Sequence, residues 1–336
     1  MRAVVCRSFT GIRDLQVEQV ATPQPARDEV QIEVAAAGVN FSDTLKVQGL
    51  YQEKPDLPWI PGGELSGVVS QLGRGVTSLS IGDRVLAVTG NSGGAFAEMA
   101  CVPVDHAIRI PDRMTYAEGA AIPNVYGTAF HALKQRAQLS QGDVLLVLGA
   151  SGGVGMAAVQ LGKALGAKVL AAASTEPKRR LVLALGADAV IDYSNPLWRE
   201  EVFRISGSDG VDVVFDPVGG DMFDEAIRCV GWRGRYLVVG FTSGRIPSLA
   251  VNRPLLKSFD VQGVRYDVWR SREWPTAKQN LAQVITLYDR ASVTPFVGAR
   301  YALEDVRDAL QAIAGRHMMG KIVLCPRDIT QCPATP

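Results

Sequence analysis

The sequence predicts an α/β protein: a doubly wound, six-stranded parallel sheet accompanied by a second, discontinuous β-barrel domain. Three observations carry this. The stretch 144–155, VLLVLGASGGVG, runs apolar residues into a glycine cluster and then into a small-residue helical pattern over 156–165. From 177 to 239 helical and strand patterns alternate, as a parallel sheet requires, since each crossover needs a helix. Over residues 1 to about 120 the pattern is instead one of short strands interrupted by glycine, proline or aspartate.

A chain of 336 residues can build two separate cores. Apolar residues make up 47% and charged residues 21%, with no apolar run long enough to span a bilayer, so a soluble globular protein is expected. The opening MRAVVCRSF lacks the apolar segment of a signal peptide, and the five cysteines (Cys6, Cys101, Cys229, Cys325, Cys332) show no paired spacing. A reducing, cytoplasmic location is the expectation. With 35 basic and 34 acidic residues the net charge is +1, which gives neither nucleic acid nor an anionic membrane a reason to bind.

In chain order, strands are expected at 30–36, 64–72, 84–88 and 96–102, separated by turns such as Gly73-Arg74-Gly75 and Ile81-Gly82-Asp83. One helix interrupts them near Phe41, with Ser42 or Asp43 at its start. Small helix formers appear at 115–121, and 126–134 reads as a helix leading into the central turn. Beyond the strand at 168–173 come helix 177–185, strand 189–192, helix 197–205, strand 211–216, helix 221–230, strand 235–239 and a sixth strand at 259–264. Helices at 277–289 and 303–314 and a strand at 321–324 exceed what a completed six-stranded sheet needs, so they are expected to fold back on the barrel. The boundaries are then 1–122 plus 267–336 for the barrel domain and 123–266 for the sheet domain, with a loosely held tail at 326–336.

The central turn has the chemistry of a dinucleotide site. Glycine lets backbone N–H groups at a helix N-terminus approach a pyrophosphate, and the helix dipole favours its charge. In the G-x-G-x-x-G spacing the three positions are Ala150, Gly152 and Gly155, with Ser151, Gly153 and Val154 between them. An NAD enzyme places an acidic residue about twenty residues further on, to hold the ribose 2′-hydroxyl. Here Ala173 or Ser174 stands instead, followed by Lys178, Arg179 and Arg180, which either balance a 2′-phosphate or form a solvated basic face. NADPH is the expected cofactor.

Several motifs together resemble the medium-chain dehydrogenase/reductase superfamily, in its zinc-free quinone oxidoreductase branch that includes zeta-crystallin. They are Gly38-Val39-Asn40-Phe41-Ser42-Asp43, Pro61-Gly62-Gly63-Glu64 with Gly67, Gly82-Asp83-Arg84-Val85, Ala150 to Gly155, and Gly320-Lys321, and they span nearly the whole chain. The resemblance implies a Rossmann domain and a GroES-like barrel. It implies 2′-phosphate contacts from Ser174, Lys178 and Tyr193. It also places Thr128, Val239, Gly240, Phe241, Thr242, Val264 and Lys321 around the cofactor, and Asn40 and Tyr51 in the cleft. In zinc alcohol dehydrogenases a cysteine is expected where Asn40 stands and a histidine where Gly63 stands, and the cysteine-rich lobe is missing from 88–96. Catalytic zinc needs about three protein ligands, and His106, His131 and His317 pair with no cysteine at short spacing, so no metal is expected.

The expected reaction is hydride transfer to a quinone or to the β-carbon of an α,β-unsaturated carbonyl. Asn40 and Tyr51 carry polar groups able to orient a carbonyl or relay a proton. Asp43 either joins them or caps the helix. Asn124 and Tyr126 could face the cleft, Tyr126 equally being core. Two alternatives stand beside this. Arg265, Arg270 and Arg272 with Tyr266, Trp269 and Trp274 suit either an enoyl thioester of CoA or a carrier protein, or a loop that packs its own aromatics. The other is an NADPH-binding structural or RNA-binding protein, which the near-neutral charge does not support. A homodimer through 259–264 is expected, because an exposed edge strand invites pairing with its copy.

Overall fold

The computed structural model describes residues 1–316 and 318–327, with Asn91 by its backbone alone. His317, Cys332 and the tail from residue 328 lie outside the described residues. The chain forms two units: residues 1–124, 274–285 and from 295 on make one, and residues 125–273 with 286–294 the other.

The first unit opens with β1 (Arg2–Val5) paired antiparallel to β2 (Gln16–Gln19). Then come β3 (Glu29–Val39), α1 (Phe41–Lys46), β4 (Glu64–Leu72), β5 (Arg84–Val88), β6 (Met99–Pro103), β7 (Ala107–Arg109) and α2 (Tyr116–Ala120). Val30, Ile32 and Val34 alternate along β3 and join Leu65, Val85 and Phe96 in one core, the period-two pattern of a strand with a buried face. In the second unit α3 (Gly127–Phe130) sits within a helical run from 122 to 136 whose flanking turns are of the wider π type.

From there the elements alternate: β8 (Val144–Val147), α4 (Gly153–Ala164), β9 (Lys168–Ala172), α5 (Glu176–Ala184), β10 (Ala189–Ile191), α6 (Trp198–Ser206), β11 (Val211–Asp216), α7 (Gly220–Ala226), β12 (Val230–Val238), α8 (Asn252–Lys257), β13 (Asp260–Gly263) and α9 (Tyr266–Arg272). Strand order is β10-β9-β8-β11-β12-β13, all parallel, so this is the doubly wound Rossmann arrangement. Its turning point lies between β8 and β11, and ligands of such sheets bind at the carboxyl ends of the strands there.

The chain closes with α10 (Trp274–Asp289), β14 (Val297–Ala302), α11 (Val306–Ala314) and β15 (Lys321–Cys325). β15 pairs antiparallel with β3 and parallel with β14, giving the first unit a sheet ordered β14-β15-β3-β4-β5-β7, with β6 also on β3. On α11 the buried residues Val306, Ala309 and Leu310 follow helical spacing and enter the same core.

Several expectations change in detail; the strand expected at 96–102 runs over Met99–Pro103, and the helix expected from 303 starts at Val306 after a 3-10 turn. The helix expected at 221–230 ends at Ala226, and the strand expected from 235 begins at Val230, because Val230 pairs with Val211 and draws the chain into the sheet early. The segment after the sixth strand holds a further helix, α9. Strands β1, β2, β7 and β14 also lie outside the sequence reading; each is short or carries charged and small residues in place of an apolar alternation.

Candidate functional site

In the first unit, strand register assembles a buried polar cluster at one end of β3. Ile322 lies opposite Val39 and Leu65 opposite Ala37, so the residues just before them, Lys321 and Glu64, flank the point where β3 gives way to Asn40. Asn40 is the N-cap of α1. Gly38 leaves room for this, since a Cβ there would stand 2.5 Å from Glu64 Oε1 and 2.6 Å from the Ala120 carbonyl oxygen.

The cluster is closely bonded. Asn40 Nδ2 donates to Glu64 Oε1 at 2.7 Å and, weakly, to the Gly38 carbonyl at 3.4 Å. Lys321 Nζ donates to Asn40 Oδ1 at 2.5 Å and to Glu64 Oε1 at 2.7 Å. The Asn124 backbone N–H reaches Glu64 Oε2 at 2.7 Å. This fixes the Asn40 amide, for the reverse orientation would turn two donors toward each other and an oxygen toward a carboxylate. Glu64 is 0% exposed and Lys321 4%, so each charge depends on the other for its place in the interior.

Asp43 is part of the same structure but faces the backbone: its Oδ2 accepts the Asn40 N–H at 2.8 Å, capping α1. Burial raises its pKa, against the pull of Lys46, the Asn40 N–H and Lys321. Tyr51 lies beside Lys46, whose ammonium is 5.2 Å from the ring centre. Asn40, Asp43 and Lys321 are thus brought together, with Tyr51 tied instead to Lys46.

In the second unit the sequence-selected residues gather at the carboxyl ends of parallel strands. Ala150, Ser151, Gly152, Gly153 and Val154 follow β8, Ser174 follows β9, Tyr193 follows β10, the turn at 239–242 follows β12 and Val264 follows β13. Thr128 is on α3, which packs against α4. At α4 the N–H groups of Gly153, Val154 and Gly155 have no intrahelical acceptor and no side chain caps them. Gly155 lets the helix start lie against the turn: a Cβ there would be 2.4 Å from the Gly149 oxygen and 2.8 Å from Ala150 Cα. Three uncapped donors, one dipole and no obstructing side chain suit the phosphates of a dinucleotide.

Near the start of α5, Arg179 pairs with Asp192 at 3.0 Å and Glu176 at 3.3 Å, and Arg180 pairs with Glu176 at 2.8 Å. Both arginines therefore brace α5. Ser174 and Lys178 are half-buried beside them.

Asp216 is a residue that the sequence reading passed over. Its carboxylate accepts the Val218 and Gly219 N–H groups at 2.7 and 2.9 Å and the Tyr236 hydroxyl at 2.7 Å. Its carbonyl oxygen takes the Val239 N–H at 2.9 Å, while Thr242 binds the Pro217 carbonyl through both N–H and hydroxyl. Asp216 so fixes the 239–242 turn to β11; burial raises its pKa in spite of those donors. An aspartate ending an apolar strand before Pro-Val-Gly-Gly was the available signal.

The aromatic segment packs both on itself and on two histidines outside it. Trp269 stacks on His131 with ring centres 3.9 Å apart, and Arg270 lies over Tyr266 at 5.3 Å. Burial first lowers the His131 pKa, to about 4. Beside this stack a groove of about 540 Å³ is lined by Arg136, Arg265, Trp269, Arg272 and Glu273. His106 packs on Trp274 at 4.2 Å. Among the described residues no three His, Cys, Asp or Glu side chains come together as a metal site, and no helix is long and apolar enough to cross a membrane.

Comparison with known proteins agrees with this arrangement. Residues 26–112 match the alcohol dehydrogenase GroES-like domain family and residues 153–283 the zinc-binding dehydrogenase family. The chain is 37% identical to quinone oxidoreductase-like protein 2 of Bos taurus over 96% of its length and 92% of that protein. It belongs to the medium-chain dehydrogenase/reductase superfamily, in the quinone oxidoreductase-like branch. Among solved members of this superfamily, the Escherichia coli quinone oxidoreductase complexed with NADPH superposes with a TM-score of 0.87 at 28% identity, covering 97% of this chain and 100% of the other. A mycobacterial protein complexed with NADPH gives 0.89 at 31% identity with the same coverage. The Rossmann sheet and GroES-like unit are those of the superfamily.

Proposed function

We propose that this chain is an NADPH-dependent oxidoreductase acting on a quinone or an α,β-unsaturated carbonyl without a metal. The observation that carries the reading is the amino end of α4, with three uncapped N–H groups over a turn that Gly155 keeps narrow. Ala150 to Val154 would hold the pyrophosphate, Ser174, Lys178 and Tyr193 the 2′-phosphate, and Thr128, the 239–242 turn, Val264 and Lys321 the remainder. The complexes of related proteins with NADPH support the choice of cofactor.

When bound, reduced NADPH supplies a hydride, two electrons and a hydrogen nucleus, whose arrival at the acceptor carbon displaces a π pair onto oxygen, solvent providing the balancing proton. The chain's part is to fix the acceptor and receive that oxygen with donors. The Tyr51 hydroxyl offers one; Asn40 acts as a fixed member of the Glu64 and Lys321 cluster. A zinc ion is disfavoured at this spot, because both carboxylates there are already engaged, Glu64 by the Lys321 ammonium and Asp43 by the Asn40 N–H.

The test uses cofactor deuterated at the transferring carbon with a simple enone, reading the product by NMR. Label at the β-carbon supports the reading; label at the carbonyl carbon, giving an allylic alcohol, overturns it. Rapid quinone reduction without any enone turnover selects the quinone. A second reading, an enoyl-CoA thioester, is favoured by the groove that Arg136, Arg265, Arg272 and Trp269 line. It predicts that Arg265→Ala with Arg272→Ala raises KM for crotonyl-CoA and leaves KM for a small quinone unchanged.

A further inference from the structure

The polar cluster at the end of β3 contains more charge than a cap requires. Lys321 and Glu64 are both almost fully buried, and exchanging a buried ion pair for apolar residues commonly leaves a protein as stable or more so. Stability alone is a weak reason to keep them.

Counting donors shows what the cluster has left to offer. The Asn40 amide has two protons, one on Glu64 and one on the Gly38 carbonyl, and its oxygen already accepts from Lys321. Both protons are directed at protein oxygens, the second only weakly. The Lys321 ammonium has three protons. One goes to Asn40 Oδ1 and one to Glu64 Oε1, and the third has no partner among the described residues.

We propose that Lys321 donates this third N–H to the acceptor oxygen on which charge develops, and that Glu64 is the positioning residue that sets its direction through Lys321 and Asn40. The proposal rests on the oxidoreductase reading above and names the donor within it. Glu64 Oε1 receives both Asn40 Nδ2 and Lys321 Nζ, so one carboxylate oxygen fixes two of the three apices around the ammonium. Its other oxygen is anchored on the Asn124 backbone, which keeps the carboxylate from rotating. A fixed cation with one open donor, shielded from bulk water, stabilises a developing oxyanion without reorganising. This places on Lys321 the role for which Asn40 has the right residue type but both protons directed at protein oxygens.

The experiment compares Lys321→Met, Lys321→Arg, Glu64→Gln and the double variant Glu64→Gln/Lys321→Met. For each, kcat and acceptor KM are measured at saturating NADPH, the NADPH dissociation constant by fluorescence titration, and Tm. Lys321→Met should lower kcat at saturating NADPH by about 100-fold or more, a loss separate from any weakening of NADPH binding at a residue placed beside the cofactor. Lys321→Arg should recover part of the loss. Glu64→Gln should lower kcat by about tenfold in the native background and by nothing further in the Lys321→Met background, since a residue acting through another has no effect once that partner is gone.

Weakened NADPH binding with kcat intact at saturation would make Lys321 a cofactor contact alone and overturn the proposal. So would a Glu64→Gln effect that simply adds to that of Lys321→Met. If Lys321→Met fails to fold because Glu64 is left uncompensated, the double variant, which buries no lone charge, decides the kcat comparison. A wild-type protein that reduces neither quinone nor enone removes the oxidoreductase reading itself, an outcome distinct from an active wild type whose variants keep their kcat.

Discussion

Arg179 and Arg180 brace α5 through Glu176 and Asp192, and the proposed 2′-phosphate contacts are Ser174, Lys178 and Tyr193. Lys178→Ala should weaken NADPH by about tenfold, roughly 1.4 kcal/mol, with NADH unchanged, as fluorescence titration would show. His131 offers a second test. Its ring takes a proton near pH 6.5 when unfolded but only near 4 when buried against Trp269, so the unfolded state binds more protons between those values. Stability is then full above pH 6.5 and falls as pH drops toward 4, by on the order of 2 kcal/mol after solvent screening. His131→Phe keeps the stack and should flatten that acid limb of Tm against pH. At this scale the sequence displayed Asn40 and Lys321 as residues but not their partnership with Glu64. They are 24 and 257 positions from it, and only the β3–β4 and β3–β15 registers make them neighbours. Asp43 was legible as a possible cap because capping is a local interaction, and it does cap α1.

Among elements, the β8 to α4 junction is the most constrained. Gly155→Ala puts a methyl group 2.4 Å from the Gly149 oxygen, so α4 must move off the turn. The expected cost is about 1–3 kcal/mol in thermal unfolding, with NADPH binding at least tenfold weaker because the three N–H groups shift with the helix. This junction was readable in advance because an apolar strand, a glycine turn and a helix are each local signals that agree. The β12 entry was not. The residues from 221 to 230 read as one helix, yet Cys229 turns back on Ala226 and its carbonyl takes the Val211 N–H, a tertiary preference that outweighs propensity. β14, with Gly298, Arg300 and Tyr301, was invisible for the same reason: its partner β15 supplies the order that its own sequence lacks.

For the whole molecule, β13 is the outer strand of the Rossmann sheet, with Val261 exposed on it and Leu255 and Leu256 exposed on the preceding α8. An uncovered edge beside apolar side chains motivates the proposed homodimer. Leu255→Asp with Leu256→Asp should halve the mass seen by sedimentation at micromolar concentration; a wild-type monomer would refute it. The purified protein should also hold no stoichiometric zinc by elemental analysis and keep its activity in chelator. The cation at the end of β3 arrives on β15, near the close of a chain whose carboxylate partner is on β4. On a ribosome, Glu64 therefore emerges long before Lys321. Residues 125–273 can pair their six parallel strands while the first unit still waits for its last strand, so a messenger truncated ahead of residue 321 yields a finished Rossmann sheet attached to a GroES-like unit with a carboxylate it cannot bury.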